Sequence, residues 1–250
     1  MPRFFEQINN FVDNLTEHKF SISLYENDST DATAHILKSA DLSKFENSSV
    51  ICETLCKPAF GSVVAEERVK NLAIARNKAL TAKDMYMDAD YVLFIDCDIK
   101  YDNDFVKTLL DFKSSGLKSI DVYSGINIVP FELGSHGVPM VASLPAKENG
   151  VPDKAGIYRV YDTWATRQDS TVEWGTWKED FASNPVSEFW ATYNSVCLYN
   201  AIPFKDGIRF DHINTRLGKY DLEVAVVCEK FRVAGYKNIY INQLLFCQHI

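Results

Sequence analysis

Tyr91-Val92-Leu93-Phe94-Ile95-Asp96-Cys97-Asp98 decides how this chain is read. Its apolar and aromatic run has the character of an interior strand of an α/β sheet. The run stops on two carboxylates one residue apart, Asp96 and Asp98. In open α/β sheets the ligand crevice lies beyond the carboxyl ends of the strands, where these side chains are expected. Two Asp so close repel unless a cation lies between them, and a hard divalent ion takes oxygen ligands of this kind. An ion held this way can clamp a diphosphate.

Outward from the acidic strand, helical and strand-like stretches alternate. Residues 3–18 have helical apolar spacing (Phe4, Ile8, Phe11, Val12, Leu15), residues 21–25 a strand pattern, and residues 26–33 a polar loop. A helix is expected over residues 32–37 with Asp31 as a cap, and a strand over residues 49–53. Residues 66–81 predict an amphipathic helix (Val69, Leu72, Ala73, Arg76, Leu80) that leads into the acidic strand. Beyond it the patterns predict helix at 102–112, strand at 120–127, strand at 189–199, helix at 221–234 and strand at 238–246. Residues 130–186, rich in Gly, Pro, Trp and Tyr without a clean period, read as a substrate-facing excursion rather than a second domain. The alternation predicts an α/β fold with a mostly parallel, doubly wound sheet flanked by helices.

The 250 residues, 46% hydrophobic and 24% charged, suit one soluble domain with a sizeable core. A net charge of −8 argues against nucleic-acid binding, which needs a basic face. It leaves room for a small anionic ligand, because a bound metal reverses the local field. No apolar run approaches the ~20 residues of a membrane helix. Nor does Met1-Pro2-Arg3-Phe4-Phe5-Glu6 open like a secretory signal. The chain as given is therefore expected to be cytoplasmic, with no membrane segment. Six cysteines, at 52, 56, 97, 197, 228 and 247, show no zinc spacing. The last four lie in apolar or strand-like contexts and are expected to be reduced, buried thiols.

At this point the motifs resemble a known family. The stretch from Ser23 to Thr33, with Tyr25-Glu26-Asn27 at its centre, resembles the strand-to-loop signature that seats the nucleotide in GT-A glycosyltransferases. Ala75-Arg76-Asn77 resembles the helix before their Asp-x-Asp strand, and Ala234-Gly235-Tyr236-Lys237 with a strand ending at His249 resembles their closing segment. The narrower likeness is to the fungal capsule-associated (cryptococcal) mannosyltransferases. It is carried by the Tyr-Glu-Asn loop, by Tyr161-Asp162-Thr163-Trp164-Ala165-Thr166-Arg167, and by Ser195-Val196-Cys197 leading to Pro203-Phe204. Several fungal relatives have Asn-Asp-Val at the Asp-x-Asp place, whereas this chain keeps both carboxylates. GT-A domains usually open with a further strand, and this chain begins at the helix after it. The resemblance implies one GT-A domain over 1–250, with a nucleotide-sugar half at 1–128 and an acceptor-side half with the closing segment at 129–250.

Under that resemblance, Asp96 and Asp98 are the metal and diphosphate pair, Asp98 on the ion and Asp96 towards the ribose or a metal-bound water. His249 is the third metal ligand, and the ion is Mn2+ or Mg2+. Glu26 is expected on the base or ribose. A glycan on its sequon, Asn27-Asp28-Ser29, would block that loop, which fits a non-secretory chain. Asp28, Ser29 and Asp31 read more simply as an Asx-type turn and cap. Arg76 is either a diphosphate partner or one side of an interhelix salt bridge. Asp221 and Glu223, with Asp162, are the candidate catalytic carboxylates; the first two equally suit a helix N-terminus. Tyr161, Trp164 and Arg167 offer a sugar an aromatic wall and polar groups; Trp174 and Trp177 either frame the acceptor or fill a small lobe core, and Trp190 reads as core.

The activity so implied is transfer of a sugar from GDP-mannose or a UDP-sugar to a glycan hydroxyl, with retention or inversion both open. Three other readings compete. A phosphatase of the haloacid-dehalogenase type also ends a strand in Asp-x-Asp, but Ile99-Lys100 follows here and no later Gly-Asp-x-x-x-Asp box exists. A nucleotidyltransferase would show a Gly-rich phosphate loop near its start. A non-catalytic sugar-binding module would keep the aromatics without needing the paired Asp.

Overall fold

Amphipathic and strand-like stretches both become regular structure in the computed structural model of the protein, which describes residues 2–58, 60–61, 63–130, 139–142, 156–161, 163–171 and 185–249. The elements run α1 (Pro2–Asn14), β1 (Ser21–Asn27), α2 (Thr33–Lys38), β2 (Asn47–Glu53), α3 (Glu66–Thr81), β3 (Tyr91–Ile95), β4 (Ile99–Lys100), α4 (Asn103–Leu110) and β5 (Val122–Pro130). They continue with β6 (Pro139–Ala142), β7 (Gly156–Val160), β8 (Val186–Glu188), β9 (Val196–Asn200), α5 (Ile202–Lys205), β10 (Ile213–Asn214), β11 (Lys219–Tyr220), α6 (Glu223–Val233) and β12 (Ile239–His249). No helix among the described residues is long and apolar enough to cross a membrane. The described residues form two compact units, Met1–Asp90 with Ala201–Val227, and Tyr91–Asn200 with Cys228–Ile250.

In the first unit, α1 buries Phe4, Gln7, Ile8 and Phe11, one face at helical spacing. β1 and β2 pair in parallel from Ser21 opposite Asn47 to Asn27 opposite Glu53. α3 lies on β1 and buries Val69, Ala73 and Leu80. The chain leaves α3 through a kinked 3-10 segment in which Lys83 and Asp84 are left-handed, and the Lys83 ammonium bonds the Ser48 carbonyl at 2.6 Å. Two residues of the Ala-Arg-Asn stretch, Arg76 through Glu223 and Asn77 through Phe210, tie α3 to the 201–227 segment. Asn77 donates through Nδ2 to the Phe210 carbonyl (2.9 Å) and accepts the Phe210 N–H on Oδ1 (3.0 Å).

The second unit is built on an eight-stranded sheet in the order β3-β9-β5-β12-β4, with β6, β7 and β8 branching from it. β3, β5 and β12 run the same way, while β9 lies reversed between β3 and β5. Of the described pairings in this sheet only β5–β12 is parallel; the rest are antiparallel. This corrects the expected mostly parallel pairing. A parallel neighbour needs a long crossover. Here α4 connects the β3 side to β5, and β9 enters reversed between β3 and β5, so both of its pairings are antiparallel. The stretch expected to be irregular supplies two more antiparallel strands, since β7 pairs with β6 and with Ile128–Pro130 of β5.

One edge of β5 is thus shared: Val122–Ser124 pair with β9 and Ile128–Pro130 with β7. Gly125 lies where the two diverge, and a Cβ there would stand 2.3 Å from the Leu245 carbonyl oxygen and 2.8 Å from the Phe105 ring. Behind this face Ile126, Ile128, Tyr158, Val160, Phe189 and Ile241 form a buried cluster with Phe246 against it.

Candidate functional site

The acidic turn follows β3 directly, and three segments of the second unit hold it. The Asp96 N–H donates to the Ser195 carbonyl at 2.9 Å, and the Tyr193 hydroxyl donates to Asp96 Oδ1 at 2.6 Å. On the other side β4 pairs with the end of β12, placing His249 opposite Ile99 and Gln248 opposite Lys100. That register brings His249 Nε2 to 3.3 Å from Asp98 Oδ2, with the two side chains 27% and 54% exposed, open to a ligand. The Tyr161 ring stacks on the imidazole, centroids 4.2 Å apart and planes at 27°. Tyr161 itself is anchored by its N–H on the Asn127 carbonyl of β5, at 2.8 Å.

Asp96, Asp98, His249 and Tyr161 therefore come together at the same ends of β3, β5 and β12. Their roles divide, because Asp96 bonds inward to Tyr193 and Asp98 faces His249. Among the described residues no three His, Cys, Asp or Glu side chains form a ready metal cage. A carboxylate oxygen and an imidazole nitrogen 3.3 Å apart are still a donor pair that a divalent ion takes, its other positions left to ligand oxygens and water. Cys97, expected to be buried in an apolar context, is instead exposed on the turn between the two carboxylates. Cys197, Cys228 and Cys247 are buried as expected, and burial pushes the Cys228 thiol up to about 11.

The aromatic wall expected for a sugar is only partly assembled by the described residues. Tyr161 uses a face of its ring on His249. Arg167 is 1% exposed, with Nε on the Trp164 carbonyl at 3.1 Å and its N–H on the Ala191 carbonyl at 2.9 Å, so it shapes the 164–167 turn from inside. Asp162, Trp174 and Trp177 lie outside the described residues. The Trp190 ring is covered by the Arg232 guanidinium at 4.6 Å, a packing role.

The first unit holds the other candidates. Glu26 accepts the Ser29 N–H at 3.3 Å and so braces its own loop. Asp28, left-handed at φ 61, does more than turn the chain. Its Oδ1 accepts the N–H groups of Leu55 (2.8 Å) and Cys56 (2.9 Å), and Oδ2 that of Lys57 (3.3 Å). The Asn27 amide first, then these N–H groups, hold the Asp28 carboxyl below its usual range. Asp31 accepts the Thr33 N–H at 2.9 Å, the expected Asx-type turn, while Ala32 rather than Asp31 occupies the cap position of α2. Arg76 Nε lies 2.8 Å from Glu223 Oε1, the interhelix salt bridge rather than an open cation. Asp221 takes the Asn214 amide on Oδ2 and the Leu222 N–H on Oδ1, bracing the β10–β11 hairpin at the start of α6.

Two residues outside every quoted motif, Asn127 and Tyr193, join Ser195 of the Ser195-Val196-Cys197 motif in supporting the acidic turn. The one local signal was the Asn194-Ser195 pair, residue types that tolerate turns. Nothing in the sequence placed that pair opposite Asp96. A family model described as cryptococcal mannosyltransferase 1 matches residues 1–225. No curated protein matches the chain.

Proposed function

The chain belongs to the cryptococcal mannosyltransferase 1 family and is a glycosyltransferase, and on that premise we propose that it transfers mannose from GDP-mannose to a glycan hydroxyl, with Asp98 and His249 holding a divalent ion. The observation that carries the proposal is the 3.3 Å approach of His249 to Asp98 at the exposed end of the sheet. Mn2+ suits a mixed imidazole and carboxylate pair better than Mg2+, which prefers oxygen. When bound, the ion supplies Lewis-acid neutralisation of the departing diphosphate. The chain's own residues orient the site. Tyr161 fixes the imidazole plane, the β4–β12 ladder fixes the spacing of His249 and Asp98, and Asp96 is set for a ribose hydroxyl or a metal-bound water.

Asp221 and Glu223 are both buried and both engaged by the chain, which favours a retaining course over one that needs either as general base. A UDP-sugar is the alternative donor. The test is transfer from labelled GDP-mannose and UDP-sugars to a mannoside acceptor, with Mn2+ and with chelator, the anomeric configuration of the product read by NMR. Metal-dependent mannosyl transfer giving the α-linked product is expected. Turnover indifferent to chelator, or transfer from UDP-sugars alone, would sink the proposal.

A further inference from the structure

We propose that Tyr193 is a positioning residue for this reaction, its hydroxyl setting the direction of the Asp96 carboxylate from a strained loop built for that purpose. The inference rests on reading Asp96 and Asp98 as the donor-diphosphate site.

Asn194 and Ser195 are consecutive left-handed residues, φ 53 and 63, and neither is Gly. Such backbone is unfavourable for residues with a Cβ and persists only where the surroundings over-determine it. They do so here. Asn194 Nδ2 donates to Thr192 Oγ1 (3.0 Å) and Ser124 Oγ (3.4 Å), and its Oδ1 accepts from Thr166 Oγ1 and the Asn127 N–H, each at 3.4 Å. The Asn194 carbonyl accepts the Cys247 thiol at 3.3 Å, and Ser195 Oγ accepts the Asn127 amide at 2.9 Å. All these groups are buried. β5, β12 and the 164–167 turn thus converge on two residues.

The product of the strain is geometric. β9 starts at Val196 opposite Ile95, the last residue of β3. Continued extended backbone before Val196 would run on past the end of β3. The left-handed pair folds the chain back instead, so that the Ser195 carbonyl accepts the Asp96 N–H and the Tyr193 hydroxyl donates to Asp96 Oδ1. Tyr193 is 2% exposed, so its bond to the carboxylate is shielded and charge-assisted. An Asp has two side-chain rotors; with the backbone and Oδ1 both tied, the orientation of the whole carboxylate is set before a ligand arrives. Asn127 links this half of the site to the other, since its carbonyl also anchors Tyr161 against His249.

The test is a double-mutant cycle of Y193F and D96N, read as the Kd of GDP in the presence of Mn2+, with melting temperature recorded for each protein. Y193F is expected to weaken nucleotide binding about tenfold while melting close to wild type. In the D96N background the same change is expected to cost less than about twofold, because Tyr193 acts through Asp96. Unchanged affinity in Y193F, an equal loss in both backgrounds, or a Y193F protein that melts far below wild type would each overturn the proposal. Wild-type affinity in D96N would overturn it differently, by removing the reading of the acidic pair on which it stands.

Discussion

Glu223 is 1% exposed and Arg76 14%, so the 2.8 Å contact between them is a salt bridge taken largely out of water. Such a pair contributes little over a well-packed apolar pair, but breaking one side leaves a buried charge with no counter-ion. Arg76→Ala is therefore expected to cost about 3–5 kcal/mol in urea unfolding, and R76M combined with E223L to recover most of that loss. Wild-type stability in Arg76→Ala would contradict this and return Arg76 to a ligand-facing role. Sequence reading left the two roles of Arg76 balanced for a plain reason. Its partner is 147 positions away, and helical spacing shows which residues share a face but not what that face meets. The same limit hid Tyr193 from Asp96, 97 positions apart.

At the scale of elements, local patterns served where one segment decides its own state. The expected helix over 66–81 is α3 to the residue, and the apolar run before Asp96 is β3. They failed where neighbours decide. Of the strand expected over 189–199 only β9, from Val196, forms; the residues before it make a single bridge, Ala191 to Arg167, and the left-handed Asn194 and Ser195 turn the chain into β9. The sheet's antiparallel pairings were not legible, since alternating β and α patterns do not reveal which edge a returning strand joins. Gly125 marks the tightest point of that sheet. With a Cβ 2.3 Å from a backbone oxygen of the irregular part of β12, Gly125→Ala forces the two strands apart. A loss of about 1–3 kcal/mol in thermal or urea unfolding is expected, and a neutral G125A would mean that β12 shifts freely.

Over the whole molecule, all six cysteines are free, with Cys56 and Cys97 exposed and Cys197, Cys228 and Cys247 buried. Native titration with a thiol reagent is expected to modify exposed Cys56 quickly, Cys97 more slowly because desolvation and the Asp98 and Asp96 carboxylates push its thiol up, and the three buried thiols only on unfolding. Saturation with GDP and Mn2+ is expected to protect Cys97, on the turn between the carboxylates, and to leave Cys56 reactive. Loss of all fast-reacting thiols on oxidation would instead indicate a disulfide chemistry foreign to this fold. The central claim is narrower: Asp98 and His249 together hold a divalent ion under a nucleoside diphosphate. Calorimetric titration of GDP with Mn2+ tests it most directly, on wild type, Asp98→Ala and His249→Ala, each repeated with chelator. The account predicts binding that needs the metal in wild type and is lost by tenfold or more in both variants. Metal-independent binding, or full affinity in either folded variant, would contradict it.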